Sequence, residues 1–225
     1  MKLTSIQPRT IVALACLALP AATLAQTVAL AVPTPVPAPA DAFQVRYASN
    51  LDHGDSVVNV TNTGTLIVPN GFLGTGGNMC VNVYAFEPGE TMIACCSCLI
   101  TPNGLNSLSV KNDLLVNPLT PAVPTSIVIK LLASTPLNTG SGGSCNAASP
   151  GPGSLVPGLR AWGTTLHALP TNPVTYGVTE TPFLNSTLSP AELTKLTTLC
   201  TFIQTNGSGF GICKSCRLGG LAPVK

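Results

Sequence analysis

The chain has 225 residues, which suffices for one domain with a substantial core. Only 8% of its residues are charged, the formal net charge is +2, and Gly and Pro number 21 each. Such a composition contains no basic stripe, and we therefore expect no binding to nucleic acid or anionic lipid. Low charge instead favours a compact fold that associates with a surface or with itself.

The N-terminal segment has the pattern of a secretory signal peptide. Lys2 and Arg9 supply positive charge, residues 11–19 form a short apolar run, and small residues follow. The run is shorter than a membrane-spanning helix, which leaves a retained anchor as the alternative interpretation. We predict that residues 1–25 are a signal peptide and that no transmembrane segment remains after its cleavage. Cleavage would leave eight basic residues against eight acidic ones.

Residues 26–42 are predicted to form a Pro-rich spacer, because prolines alternate there with small residues and favour extended polyproline II. An unstructured N-terminus of the mature protein is the alternative. Residues 43–225 are predicted to form a single β-rich domain, in which short β-branched or alternating runs are separated by Gly and Pro. The predicted strands are 43–47, 56–62, 65–68, 79–86, 91–99, 107–111, 125–133, 160–169 and 176–184. This pattern is typical of an antiparallel β-sandwich, immunoglobulin-like or related.

One C-terminal α-helix is also predicted. Ser189 is suited to the N-cap, Pro190 to the first helical position, and Glu192 completes a capping box. Apolar residues then recur on one helical face, and residues 206–207 (Asn-Gly) end the helix. The predicted buried face consists of Leu193, Leu196, Leu199, Cys200 and Ile203.

Cysteine usage predicts a disulfide framework. Eight cysteines follow the signal peptide, namely Cys80, Cys95, Cys96, Cys98, Cys145, Cys200, Cys213 and Cys216. An even number in an exported chain indicates four bridges. Residues 87–90 (Glu-Pro-Gly-Glu) suit a type II turn, which would join strands 79–86 and 91–99 as a hairpin.

The hairpin and the period of two along a strand predict which cysteines face each other. If Glu87 opposes Glu90, then Cys80 and Cys95 share one face and form a diagonal cross-strand pair. Cys96 and Cys98 share the apolar face with Met79, Val81, Val83, Met92 and Ala94. They would point toward Cys200 on the helix or toward Cys213 and Cys216, and a bulge near residues 95–98 would change the assignment.

A cysteine-based metal or redox site is the alternative to structural bridges. Cys95 with Cys98 and Cys213 with Cys216 form two Cys-x-x-Cys pairs, which is the spacing found in four-thiolate zinc sites. The same spacing at Cys213–Cys216 would suit a redox-active pair. The oxidising compartment and the position of the first pair in a strand favour disulfides.

No group of residues in the sequence predicts catalysis. His53 lies in residues 52–56 (Asp-His-Gly-Asp-Ser), which we interpret as a polar turn before a strand. His167 lies in a predicted strand without a third partner for Ser-His-Asp chemistry. Trp162, the single tryptophan, is predicted to anchor the core. We therefore expect a non-enzymatic protein with no cofactor and no catalytic residue.

Two segments carry resemblances to known families. Residues 54–57 (GDSV) and 60–64 (VTNTG) resemble the strand-to-turn signature of immunoglobulin-like repeats on bacterial surface proteins. Residues 206–217 (NGSGFGICKSCR), together with 95–98 (CCSC), resemble a family of exported cysteine-rich proteins from environmental bacteria. The second resemblance implies export and disulfides, and it implies no particular activity.

These observations lead to two expected functions. The first is an exported structural or adhesive β-sandwich protein of the periplasm, cell surface or extracellular space. It would act by self-association or through an envelope partner protein, because its edge strands carry little charge. The alternative is a periplasmic metal-binding or thiol-redox protein that uses the paired cysteines.

Overall fold

The computed structural model describes residues 36–66, 77–137, 143–169, 172–214 and 216–218. The predicted signal peptide and residues 26–35 of the predicted spacer lie outside this part of the chain. All described residues belong to one compact unit.

Two antiparallel five-stranded sheets form the framework, and the predicted mainly β sandwich with one helix is confirmed. The first sheet has the order β4–β3–β6–β1–β9, and the second has the order β10–β5–β2–β7–β8. The strands are β1 (Phe43–Ala48), β2 (Gly54–Asn62), β3 (Met79–Phe86), β4 (Met92–Ile100), β5 (Leu105–Ser109), β6 (Ile127–Ser134), β7 (Leu159–Leu169), β8 (Asn172–Pro182), β9 (Leu184–Asn185) and β10 (Arg217–Leu218). The chain crosses from the second sheet to the first between β8 and β9.

The main core lies between the two sheets and follows the strand period of two. Val58 and Val60 of β2 are fully buried, and they belong to the same apolar cluster as Val81 and Val83 of β3. A second cluster covers the other face of the first sheet, where Tyr84 of β3 packs with the helix. All eight residues of β3 are therefore buried. The first sheet is covered on both faces, and the second faces the core on one face only.

The helix α1 (Pro190–Thr205) forms as predicted. The Ser189 hydroxyl accepts a hydrogen bond from the Glu192 backbone N–H at 3.1 Å, which satisfies a free donor of the first turn. The Glu192 side chain bonds Lys130 of β6, so the structure shows only the Ser189 half of the predicted capping box. Leu193, Leu196, Cys200 and Ile203 are buried, and Leu199 packs against them. The helix therefore attaches to the first sheet through its apolar face.

The turn of the β3–β4 hairpin differs from the predicted type II turn. The Glu87 N–H donates to the carbonyl of Thr91, and Glu90, not Gly89, has a positive φ of 67°. Three residues, 88–90, thus lie between the bonded pair Glu87 and Thr91, in the manner of a turn followed by a left-handed residue. A bulge between Ala85 and Phe86 shifts the register again. As a result Cys80 opposes Leu99, where Ser97 was predicted.

The bulge also moves one side chain to the opposite face. Met92 packs in the helix-side cluster, so its predicted place beside Val81 is wrong. Ala94, Cys96 and Cys98 remain on the face between the sheets, as predicted.

Three other predictions need correction. The strand expected at 107–111 is β5, and it ends at Ser109 because one π-helical turn (Val110–Leu114) follows. The Asp113 carboxylate accepts from the Ser109 N–H at 2.8 Å and closes this turn. Residues 65–66 of the predicted strand 65–68 lie outside any strand, and 67–68 are outside the described residues. Trp162 is 41% exposed, because its neighbour Ala161 takes the inward position in β7.

The described end of the predicted spacer packs against the domain. The Val36 N–H donates to the carbonyl of Leu188 at 2.9 Å, and Val36 is buried in the helix-side cluster. Ala42 is fully buried between the sheets. Residues 36–42 therefore belong to the domain.

Candidate functional site

Four disulfides connect the β3–β4 hairpin to later parts of the chain. The pairs are Cys80–Cys145, Cys95–Cys200, Cys96–Cys213 and Cys98–Cys216, with Cα–Cα distances of 5.4–5.8 Å. These distances are in the range usual for disulfides. All eight predicted cysteines are paired, which confirms the predicted four bridges. The predicted links from Cys96 or Cys98 to a C-terminal cysteine are confirmed, with separations of 117 and 118 residues.

The predicted pair Cys80–Cys95 is wrong, although the two side chains share a face as predicted. Cys95 opposes Tyr84, four residues from Cys80 along β3. Four residues of strand correspond to about 13 Å, which no disulfide spans. Cys95 instead meets Cys200 on the buried face of α1, and Cys80 anchors Cys145 in the loop before β7. The register shift in the hairpin accounts for both changes.

The cysteines proposed as alternative metal ligands do not converge. Cys95 lies in the helix-side cluster and Cys98 in the cluster between the sheets, because residues three apart on a strand point to opposite faces. Cys213 and Cys216 bond different cysteines of β4, so they do not form a redox pair with each other. Within the described residues, no three His, Cys, Asp or Glu side chains are grouped to hold a metal ion.

The two histidines are close along the backbone, because Gly54 pairs with His167 and the Ala168 N–H donates to the carbonyl of His53, but their side chains contact different residues. His53 is in the turn before β2, as predicted, and its Nδ1 is 2.9 Å from the Asp52 carboxylate. This hydrogen bond lowers the pKa of Asp52 below its ordinary value. His167 of β7 has its Nε2 3.2 Å from the Thr179 hydroxyl. The Ser56 hydroxyl accepts from Arg46, so the residues 52–56 are not arranged as a nucleophile with its base.

Polar side chains form a hydrogen-bonded row across the open face of the second sheet. Ser107 donates to Asn59, whose amide donates to Thr164 at 3.0 Å, and Thr164 donates to Glu180. The row crosses β5, β2, β7 and β8. Trp162 is directly opposite Asn59 in the strand pairing and lies beside the row. The face therefore offers hydroxyl and amide groups and the Glu180 carboxylate next to the exposed indole of Trp162.

The long edges of the two sheets are protected unequally. On β4, the carbonyl of Ile93 accepts from Leu119, and the Cys95 N–H donates to Gly211 at 2.8 Å. The edge of β5 is paired with β10. Within the part of the chain that the structure describes, no strand pairs with the outer edge of the 11-residue β8. Its unpaired backbone groups are a template for strand addition.

A cleft of about 380 Å³ lies at the crossover from β8 to β9. Its lining includes Gln44, Arg160, Trp162, Pro182, Leu184 and Asn185. Gln44 is 2% exposed, and its amide nitrogen donates to the carbonyl of Leu159 at 2.9 Å. Among the described residues, no group donates to the buried Gln44 Oε1.

A guanidinium lies between the sheets near this cleft. Arg46 of β1 donates to Thr181, Ser56 and Thr165 at 3.0, 2.8 and 2.8 Å, and its Cζ is 6.0 Å from the Phe183 ring centroid. Burial lowers the pKa of Arg46 below its ordinary value.

Sequence reasoning missed Gln44 and Arg46, which alternate with the apolar residues of β1. The alternation was available in the sequence, but it gave no reason to place the polar positions toward the other sheet.

No protein-family model, curated protein or solved structure matches this chain. The two family resemblances of the sequence therefore stay predictions. No helix in the described residues has the length and hydropathy needed to cross a membrane.

Proposed function

We propose that the protein is an exported, non-enzymatic structural or adhesive β-sandwich of the cell envelope or extracellular space. Four disulfides support export, because stable bridges are characteristic of oxidising compartments. The predicted signal peptide points to the same destination. The alternative of a metal-binding or thiol-redox protein receives no support from the cysteine geometry.

The free edge of β8 carries this proposal. The strand has 11 residues and a single charged side chain, Glu180, so like-charge repulsion would do little to prevent pairing. Val178 is 61% exposed and lies next to that edge. We propose that β8 pairs with β8 of a second copy, which would join two second sheets into one continuous sheet. An envelope protein that adds a strand to the same edge is the other outcome of the test.

A lysine on the edge strand tests this role. Val178→Lys places a charge on β8, and Val123→Lys is a matched control because Val123 is 59% exposed in the loop before β6. In sedimentation equilibrium at up to about 0.5 mM, we expect the wild type and V123K to associate and V178K to remain monomeric.

A wild type that is monomeric over this range contradicts pairing with a second copy. Equal association of V178K and V123K contradicts the assignment to β8. If the wild type is monomeric but captures an envelope protein that V178K does not capture, β8 is an edge for a partner.

A further inference from the structure

We infer that the cleft at the β8–β9 crossover binds a neutral sugar ring, with Trp162 as its stacking platform. The inference names a ligand class for the proposed adhesive role and rests on that role. It uses a site separate from the edge of β8, so the two can fail independently.

The unpartnered acceptor is the first observation. Gln44 Oε1 is buried, and the Gln44 amide nitrogen is oriented by the carbonyls of Leu159 and Asp41, at 2.9 and 3.3 Å. Because both contacts are acceptors, the nitrogen and the oxygen of this amide cannot be exchanged. A buried acceptor without a donor is unfavourable, so a ligand that brings an O–H or N–H is favoured.

The polar and charged residues at the cleft limit which chemical classes of ligand can bind there. An anion is disfavoured at Gln44 because its oxygens would meet a carbonyl oxygen and could donate nothing. Arg160 is also in the lining, and its Nη1 is 3.0 Å from the Asp41 carboxylate. The charges of this pair compensate each other, so Arg160 favours neither an anionic nor a cationic ligand. A neutral ligand that both donates and accepts hydrogen bonds fits these groups.

The apolar part of the lining requires a ligand with an apolar face. The indole of Trp162 and the ring of Pro182 are opposite each other in the strand pairing, and both are exposed. Sugar rings combine hydroxyls at their rim with C–H groups on their faces, and exposed aromatic rings pack against such faces. At about 380 Å³, the cleft is within the range of ligand sites.

A peptide fits less well, because β9 has only two residues and offers little edge for strand addition. The polar row from Ser107 to Glu180 passes Asn59, which is opposite Trp162, and supplies hydroxyl and amide groups along the sheet. A glycan longer than one ring could continue along this row.

The test uses the full exported, oxidised protein and the methyl glycosides of glucose, galactose, mannose and N-acetylglucosamine. Because Trp162 is the only tryptophan, its fluorescence reports directly on the cleft. We expect a saturable fluorescence change and saturation-transfer NMR signals with at least one glycoside. Measured by NMR, Trp162→Ala should weaken binding at least tenfold, and Asn185→Ala should weaken it several-fold. Phe202→Ala should bind as the wild type does, because Phe202 is an aromatic residue 57% exposed on α1.

Four results would overturn the inference. The first is the absence of saturable binding up to about 50 mM of each glycoside. The second is an equal effect of W162A and F202A. The third is a crystal soaked with the glycosides that holds only an ordered water at Gln44 Oε1. Binding of short apolar peptides in place of glycosides, sensitive to W162A, would make the cleft a peptide site and would also overturn it.

The V178K variant separates this inference from the proposed edge pairing. Glycoside binding by monomeric V178K would support the cleft independently of association. Loss of association in V178K, with no glycoside binding by any variant, would leave the edge proposal intact and remove the sugar site.

Discussion

Substitution of Gly163 by alanine should destabilise the sandwich through Arg46. Gly163 faces the space between the sheets, and a Cβ added there would overlap the Arg46 Cζ, Nε and Nη1. The guanidinium would have to leave its three hydroxyl partners Ser56, Thr165 and Thr181. The close approach of Arg46 to the backbone of β7 thus requires glycine at this position.

The expected magnitude follows from those hydrogen bonds. Each bond from a charged donor contributes roughly 1.5–3 kcal/mol net, and overpacking costs roughly 1–3 kcal/mol. Because a displaced arginine can regain some solvent contact, we expect G163A to lower the free energy of unfolding by about 3–5 kcal/mol. Arg46→Ala should lower it by about 2–4 kcal/mol through the lost bonds and packing.

The decisive measurement is a double-mutant cycle. In the R46A background the overlap is absent, so G163A should cost less than about 1 kcal/mol, and the coupling energy should be about 2–5 kcal/mol. Guanidinium unfolding of the oxidised protein, followed by circular dichroism, gives the four free energies. Gly153→Ala is the control and should be neutral, because a Cβ there meets no atom within 4 Å. Additivity of G163A and R46A within about 0.5 kcal/mol would refute the reasoning.

Three further predictions concern the hydroxyl of Tyr84, the bridges and the N-terminus. The Tyr84 hydroxyl donates to the carbonyl of Ala147 at 2.8 Å, and burial raises the pKa of this hydroxyl above the ordinary 10.0. The free energy of unfolding should therefore fall above about pH 10, because Tyr84 ionises there in the unfolded protein and not in the folded one. Tyr84→Phe should cost about 1–2 kcal/mol at neutral pH and flatten that fall, whereas Tyr47→Phe, at an exposed position, should do neither. Thiol titration of the native protein should find no free thiol, and four free thiols at Cys95, Cys98, Cys213 and Cys216 with one bound metal would contradict the pairing. The double variant C98A/C216A should lose only about 2 kcal/mol, since the intact Cys96–Cys213 bridge already closes the long loop and the removed bridge closes a ring of a few residues. N-terminal sequencing of the mature protein should begin at Gln26, and a start at Met1 would contradict cleavage of a signal peptide.

Local sequence patterns predicted a helix or strand well where a single local interaction determines its ends. The helix follows from Ser189, Pro190 and the apolar spacing after them, and the structure begins and ends it within a residue of the prediction. The strand β3 has the predicted bounds because its alternation is flanked by turn residues on both sides. These features depend on neighbours in the sequence and need no tertiary contact.

The register of the β3–β4 hairpin was harder to predict, because it depends on which turn residue adopts the left-handed conformation. Pro88 and Gly89 are compatible with a type II turn, and only the structure shows that Glu90 takes the positive φ. The turn and the bulge at Ala85–Phe86 together shift the register by two residues at Cys80, an even number, so the faces of Cys80, Cys95, Cys96 and Cys98 were predicted correctly while the pair Cys80–Cys95 was not. An odd shift would have reversed every face.

The candidate binding site escaped prediction for a different reason. Gln44 and Arg46 are polar positions in an alternating strand, and such positions usually face solvent. Here they face the second sheet at the open end of the sandwich, where hydroxyls of β2, β7 and β8 accept hydrogen bonds from Arg46. Whether the polar face of a strand is buried depends on the sheet that packs against it, and no local sequence pattern contains that information.

The distribution of the bridges connects the fold to the proposed role. Every disulfide has one end on β3 or β4, and none includes a residue of β1, β2, β7, β8 or β9. The covalent constraints therefore restrict the half of the sandwich that the helix and the C-terminal segment cover. The opposite half keeps an open edge, an exposed indole and a buried acceptor without a partner, and it is held by the hydrogen bonds of Arg46 and by strand pairing. Exposed edges and incompletely satisfied polar groups reduce stability. A domain can tolerate them at one end when bridges stabilise the other, and this arrangement is the physical reason to look for binding at the β7–β8–β9 end.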